Sequence, residues 1–110
     1  MKLPASVFSV MDWDNVPVTE HPGITGIALW RTTTVGDLRI RRVEYTPGYL
    51  ADHWCARGHV LFVVAGTLHT ELQDGRRFTL TAGMSYHVSD DGDPPHRSST
   101  ETGATLFIVD

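Results

Sequence analysis

The side chains best suited to chemistry lie in one stretch, Pro47-Gly48-Tyr49-Leu50-Ala51-Asp52-His53-Trp54-Cys55-Ala56-Arg57-Gly58-His59. Read as extended chain, it sends alternate side chains to opposite faces, so His53 and Cys55 project together and a bend at Gly58 returns His59 to their side. Imidazole nitrogen and thiolate sulfur are the donors preferred by zinc and the later first-row metals. His96 is the natural fourth donor, because Pro94 and Pro95 stiffen the loop that presents it. Taken singly, each residue has a plainer reading: a lone His in a β domain is usually hydrogen-bonded at the surface, and a lone Cys is usually a small buried hydrophobe. A His-x-Cys pair with another donor four residues on is much harder to obtain by chance, and the four are read together as metal ligands. His21 and His69 lack such company and read as surface or turn residues. His87 falls near the proposed site and reads as structural, the alternative being a hydrogen bond that supports a ligand.

The elements that must position these donors follow from composition and punctuation. A chain of 110 residues, 41% hydrophobic and 20% charged, encloses one core and one site. The longest apolar run, Val60–Ala65, is too short to span a membrane, and Met1–Val10 lacks the pattern of a secretory signal, so a cytoplasmic protein is expected. One cysteine excludes an internal disulfide, and a net charge of −4 argues against nucleic acid as a partner. Glycines and prolines punctuate short apolar segments along the whole length, the pattern of an all-β domain. Ile24–Thr33 and Leu38–Thr46 read as a hairpin across a glycine turn, with a bulge expected at Arg41–Arg42, where the apolar phase slips. Val60–Ala65 reads as a central strand covered on both faces and ending at Gly66. Asp74-Gly75 closes a second hairpin between Leu68–Leu72 and Arg76–Leu80. Met84–Val88 and Ala104–Val109 read as further strands, Ser89–Pro95 as a polar loop, and only Ala5–Asn15 as a potential helix. The expected domain is a β-sandwich or small barrel, with residues 1–23 as an N-terminal segment and 24–110 as the core.

Gly48 to Gly66 resembles the first motif of the cupin superfamily, which has a glycine, a His-x-His pair, a glutamate and a closing glycine. Here the pair is His53-x-Cys55 and His59 stands in the place of the glutamate. Gly83 to His96 resembles the second motif, with Ser89 in the usual proline position, a longer loop, and His96 as the final ligand. Asp52-His53-Trp54-Cys55 further resembles the small single-domain cupins marked by a DHCW motif. The resemblance implies a double-stranded β-helix or jelly roll holding one divalent transition metal ion at His53, Cys55, His59 and His96. Zinc or iron comes first for this softer set, then nickel or manganese. If Cys55 stands back from the metal, three histidines remain, which is similar to the ligand set of thiol dioxygenases in the same superfamily.

Two functional classes follow. One is a metal-dependent oxygenase or isomerase acting on a small polar molecule, with Tyr45, Asp52, Tyr86 or Arg97 moving a proton or anchoring a carboxylate; the plainer reading of these residues is packing or loop capping. The other is a non-catalytic module in which the metal stabilises the barrel or helps to hold a ligand. The fold hosts too many chemistries to name a reaction. A homodimer is expected through the Gly26–Arg31 strand or the N-terminal segment, which would cover an exposed edge. Asp90–Asp93 reads as a solvated loop, the alternative being a gate over the pocket.

Overall fold

A computed structural model of the chain describes residues 2–91 and 94–110. Within them lie β1 (Thr19–Pro22), β2 (Ile27–Val35), β3 (Leu38–Tyr45), β4 (His59–Leu72), β5 (Arg77–Thr81), β6 (Ser85–Val88), β7 (His96–Ser99) and β8 (Ala104–Val109). Every pairing is antiparallel. β4 is shared between two sheets: its first half pairs with β8 and β6, and its second half pairs with β5 and β7. One sheet therefore runs β1-β2-β3-β8-β4-β6 and the other β5-β4-β7, the two-sheet jelly roll expected from the sequence. The strand changes sheets where its register against β8 shifts between Val63 and Ala65, next to Gly66, whose φ is 79°. A Cβ on Gly66 would collide with the Gly103 carbonyl, so this crossing requires glycine.

Both predicted hairpins are present. β2 and β3 pair from Ala28–Tyr45 to Val35–Leu38, and β4 and β5 pair across the Asp74-Gly75 turn, where Gly75 takes φ 99°. The core between the sheets is built from Ala28, Val43, Leu61, Val63, Leu68, Leu80, Leu106 and Ile108.

Several expectations are corrected. β3 carries no bulge: its register is unbroken against both β2 and β8. Its inward face is simply the one that holds Arg41 and Val43, both buried, so the apparent phase slip came from an arginine pointing inward. β4 is covered on one face only; Leu61 and Val63 are buried while Val60, Phe62 and Val64 are exposed, and the strand continues through Gly66. The segment holding His53 and Cys55 is not a strand; residues 52 and 53 bend, and Cys55 makes an isolated bridge to His96. Ala5–Asn15 forms no α-helix. A helix of this length needs tertiary packing, and Val7, Phe8 and Val10 pack on nothing within the chain, leaving one 3-10 turn at Trp13–Asn15. Arg31 ties that turn down by donating to the carbonyls of Trp13, Asp14 and Val16. β1 brings Thr19–Pro22 into the sheet, so sheet structure begins ahead of Ile24. Within the Ser89–Pro95 loop, Gly92 and Asp93 lie outside the described residues, and so does part of the suggested Asp90–Asp93 gate. No helix among the described residues is long and apolar enough to cross a membrane.

Candidate functional site

His53, Cys55, His59 and His96 all line one cavity of about 130 Å³ inside the barrel. Each arrives from a different local structure. His96 opens β7, and its backbone N–H donates to the Cys55 carbonyl at 2.9 Å while its carbonyl accepts from the Cys55 N–H at 2.8 Å. This reciprocal pair fixes the cysteine beside the histidine without a strand. His59 opens β4, and just before it the Gly58 N–H donates to the Asp90 carboxylate at 2.6 Å. His53 sits at the mouth with 70% of its side chain exposed, its Nδ1 2.7 Å from the Asp52 carboxylate. The hydrogen bond from His53 holds the Asp52 carboxyl below its usual range.

The deeper donors differ from this outer pair. The His96 ring is buried, and its Nε2 has no hydrogen-bond partner within the protein. The His59 ring lies 4.8 Å from it, centroid to centroid, and its Nε2 is 2.7 Å from the Tyr86 hydroxyl. Burial, reinforced by the neighbouring His96, lowers the His59 pKa to about 4, so the ring is neutral at pH 7. Burial also lowers the His96 pKa. Both imidazoles therefore keep a lone pair at neutral pH. Among the described residues, however, no three His, Cys, Asp or Glu side chains are grouped so as to hold a metal ion. His59 Nε2 is engaged by Tyr86, His53 bonds Asp52 through Nδ1 and keeps Nε2 available, and His96 Nε2 is the buried nitrogen without a partner. The donor chemistry fits a divalent transition metal, and loading through Nε2 requires His59 to leave Tyr86.

The remaining sequence candidates separate. Tyr45 lines the cavity, stacked on Tyr49 at 4.2 Å, and burial raises its pKa. Burial likewise raises the Tyr86 pKa, so Tyr86 stays a neutral hydroxyl. Arg97 alternates with inward His96 and Ser98 and turns its guanidinium to the outer face, over the Trp54 ring at 4.5 Å from the centroid and 3.6 Å from Glu71, its cross-strand partner. Asp52 is exposed, outside the cavity lining, and bonds His53. His87 is exposed, opposite Val60 on the outer face of β4 and β6, and does not line this cavity. His69 bonds Thr79. His21 is not a plain surface residue: it lies in β1, half-buried, with its ring stacked on Trp30 at 3.7 Å. A second cavity of about 350 Å³, lined by Phe78, Leu80, Met84 and Tyr86 among others, shares His96 with the first and contains none of the other three donors.

Sequence reasoning missed one wall altogether. Arg41 is 6% exposed and points inward from β3, and with Arg39 it grips the Asp110 carboxylate. Arg39 is bidentate, with Nε 2.9 Å from Oδ1 and a terminal nitrogen 2.9 Å from Oδ2, while Arg41 donates to Oδ2 at 3.0 Å. The Arg41 guanidinium also covers the Trp30 ring at 4.3 Å. Burial would raise the Asp110 pKa, but the hydrogen bond from Arg39 and the charges of Arg41, Arg39 and Arg57 outweigh it, and the net shift is downward. The signal was available: Arg39, Arg41, Val43 and Tyr45 share one phase of β3, and Asp110 continues the buried phase of Ala104, Leu106 and Ile108.

No protein-family model matches the chain, and no curated protein does. Solved structures do match. An RmlC-like cupin from Shewanella frigidimarina is 23% identical, with a TM-score of 0.69 over 96% of this chain and 89% of that one. The polyketide cyclase RemF from Streptomyces resistomycificus is 16% identical, with a TM-score of 0.75 over 94% of this chain and 78% of that one. Fe(II)-HppE with an alternative substrate is 15% identical, with a TM-score of 0.73 over 94% of this chain and 60% of that one. At these identities the likeness is one of fold, and the fold is the cupin fold expected from Gly48–Gly66 and Gly83–His96. The narrower resemblance to DHCW-type cupins rests on residues 52–55 alone.

Proposed function

We propose that this cupin-fold chain binds one divalent transition metal ion at His53, Cys55, His59 and His96 and holds a small polar molecule in the same cavity. The observation that carries the reading is His96 Nε2, a buried nitrogen with no protein partner, in a cavity that also receives the other three donors. Such an ion supplies Lewis acidity and open positions for a substrate oxygen or dioxygen. The chain's own part is to keep His59 uncharged, hold Cys55 against His96, and set the Tyr86 hydroxyl against His59. Zinc or iron suits two or three imidazoles with a thiolate, with nickel or manganese next. Fe(II)-HppE, similar in fold, is an iron(II) protein solved with an alternative substrate, in keeping with a metal-dependent activity here.

A second reading has its own support. The His59–Tyr86 hydrogen bond, which occupies a donor nitrogen, supports a non-catalytic module that binds its ligand without a metal. Protein purified without a histidine tag, stripped with EDTA and titrated with zinc, iron(II), nickel and manganese separates the two. The metal reading expects one ion per chain. His96→Ala should weaken binding by more than the roughly 100-fold that loss of an outer-shell partner costs. A cobalt(II) sample with a thiolate band lost in Cys55→Ser would put Cys55 in the shell, and stoichiometric uptake of no metal at all overturns the reading. Exposed Val60, Phe62 and Val64 on the outer face of β4, and Val7 and Phe8 in the N-terminal segment, support a homodimer. The unpaired Cys55 supports a reducing, cytoplasmic setting.

A further inference from the structure

β5 and β6 follow one another across the turn at residues 82–83, yet they pair with opposite halves of β4, in different sheets. Two strands joined so closely and held so differently splay apart, and the wedge between them is the cavity of about 350 Å³. That size falls in the range of about 300–1,000 Å³ in which small molecules are usually bound. Strand alternation tells which side chains face it. Thr70 pairs with Phe78 and Leu68 with Leu80, which puts Thr70, Phe78 and Leu80 on the inner face of one sheet, while Tyr86 stands opposite Leu61 on the inner face of the other. Leu80 is sealed, but Phe78 is 48% exposed and Met84, at the mouth, 47% exposed. An aromatic ring on the inner face thus stands open to water in a wedge otherwise walled by Leu72, Leu80 and Val88. A polar group at the base also has nothing to bond. Thr70 is 3% exposed, and its Oγ1 has no hydrogen-bond partner among the described residues. Its contact with the Tyr86 hydroxyl is too poor in geometry to satisfy it, and that hydroxyl is committed to His59. Buried hydroxyls are seldom left so.

We infer that the wedge between β5 and β6 is a second binding site, for a small aromatic molecule that carries a hydroxyl, its ring against Phe78, Leu80 and Met84 and its hydroxyl at Thr70. The rings of Phe78 and Tyr86 and the Met84 thioether are the groups that favour an aromatic body over an aliphatic one. A hydroxyl suits Thr70 because each can both donate and accept, and because it brings no charge into an apolar wedge. Arg76 also lines the cavity, but its guanidinium is matched by the Asp74 carboxylate at 2.9 Å, so it makes no call for an anion. This site goes beyond the metal and the polar ligand proposed above. Thr70 is none of the four donors and does not line the smaller cavity; of the residues around the two cavities, His96 alone borders both.

The test is a titration of the full chain, as purified, with 2-naphthol and with naphthalene, followed by ligand fluorescence and by the methyl resonances of the protein. 2-Naphthol should bind saturably at one site per chain and shift the methyls of Leu72, Leu80, Met84 and Val88. Naphthalene is the more hydrophobic of the two but lacks the hydroxyl, and it should bind about two- to tenfold more weakly, the worth of one net hydrogen bond. Thr70→Val should remove that difference, and Thr70→Ser, which keeps the hydroxyl, should retain it. Naphthalene binding as tightly as 2-naphthol to the wild type overturns the inference. Shifts confined to Val60 and Val64 on the outer face of β4 do so too, as the mark of non-specific adsorption. An absence of saturable binding, the result if a second copy of the chain fills the wedge, overturns it as well. Failure of metal uptake leaves these outcomes as they are, because Thr70 is not a metal donor.

Discussion

The two walls of the cavity are built in opposite ways. Arg39 and Arg41 stand on β3, in unbroken register with strands on both sides, and are locked onto Asp110 at the end of β8. His53 and Cys55 stand on a bent loop, and one of the four donors, His59, bonds Tyr86 through Nε2. The arginine wall is fixed by its own ion pairs, whereas the proposed metal site would require His59 to give up Tyr86.

The largest expected effect comes from breaking the rigid wall. Asp110→Asn leaves Arg41 buried without its counter-charge and should cost about 3–5 kcal/mol, read from urea unfolding. A cost below about 1 kcal/mol would erase the contrast between the walls. Acid should reveal the next effect. His59 has a folded pKa of about 4 against about 6.5 unfolded, so above pH 6.5 its protonation contributes nothing to the balance. As pH falls from 6.5 toward 4 the unfolded chain binds the proton first, and the metal-free protein should lose up to about 3 kcal/mol. His59→Gln should flatten that limb of the stability profile; an unchanged slope would mean that His59 is not buried neutral. Asp110 acts lower on the pH scale: its depressed pKa gives stability above the ordinary carboxylate range that is lost as pH drops through the folded value, and Asp110→Asn should abolish that limb.

Smaller effects sharpen the donor side. Tyr86→Phe removes one hydrogen bond, should cost about 1 kcal/mol of stability, and should raise metal affinity by freeing His59. Calorimetric metal titration of the variant checks the sign, and a drop in affinity would make Tyr86 a support for the metal site instead of its competitor. The smallest change is expected for His53→Ala. Exposed and paired only with Asp52, it should alter stability by less than about 0.5 kcal/mol, measured by the same urea unfolding.

What was legible in the sequence was punctuation and chemistry. Asp74-Gly75 and the turn at Gly36 mark hairpins because few other residues accept those backbone angles, and the spacing of His53, Cys55, His59 and His96 pointed to one cavity. What was not legible depended on tertiary partners. An arginine is assigned to solvent until its carboxylate is found, and Asp110 lies far from Arg41 in sequence, so the inward face of β3 was taken for a bulge. β7 reads His-Arg-Ser-Ser, with no apolar alternation, and is a strand because β4 pairs with it. Val60–Ala65 looked doubly covered because apolar composition alone does not tell a buried face from an exposed one.

One last consequence follows from β4 belonging to both sheets. Neither sheet can close until this strand is in place, and its partners β7 and β8 come late in the chain. Opening either sheet must disturb β4, which couples the two into a single cooperative unit. Its inward amides around Leu61, Val63 and Leu68 should be the last to exchange with deuterium, and their protection should report the global unfolding free energy, while the donor loop at 52–58 exchanges through local openings far below it.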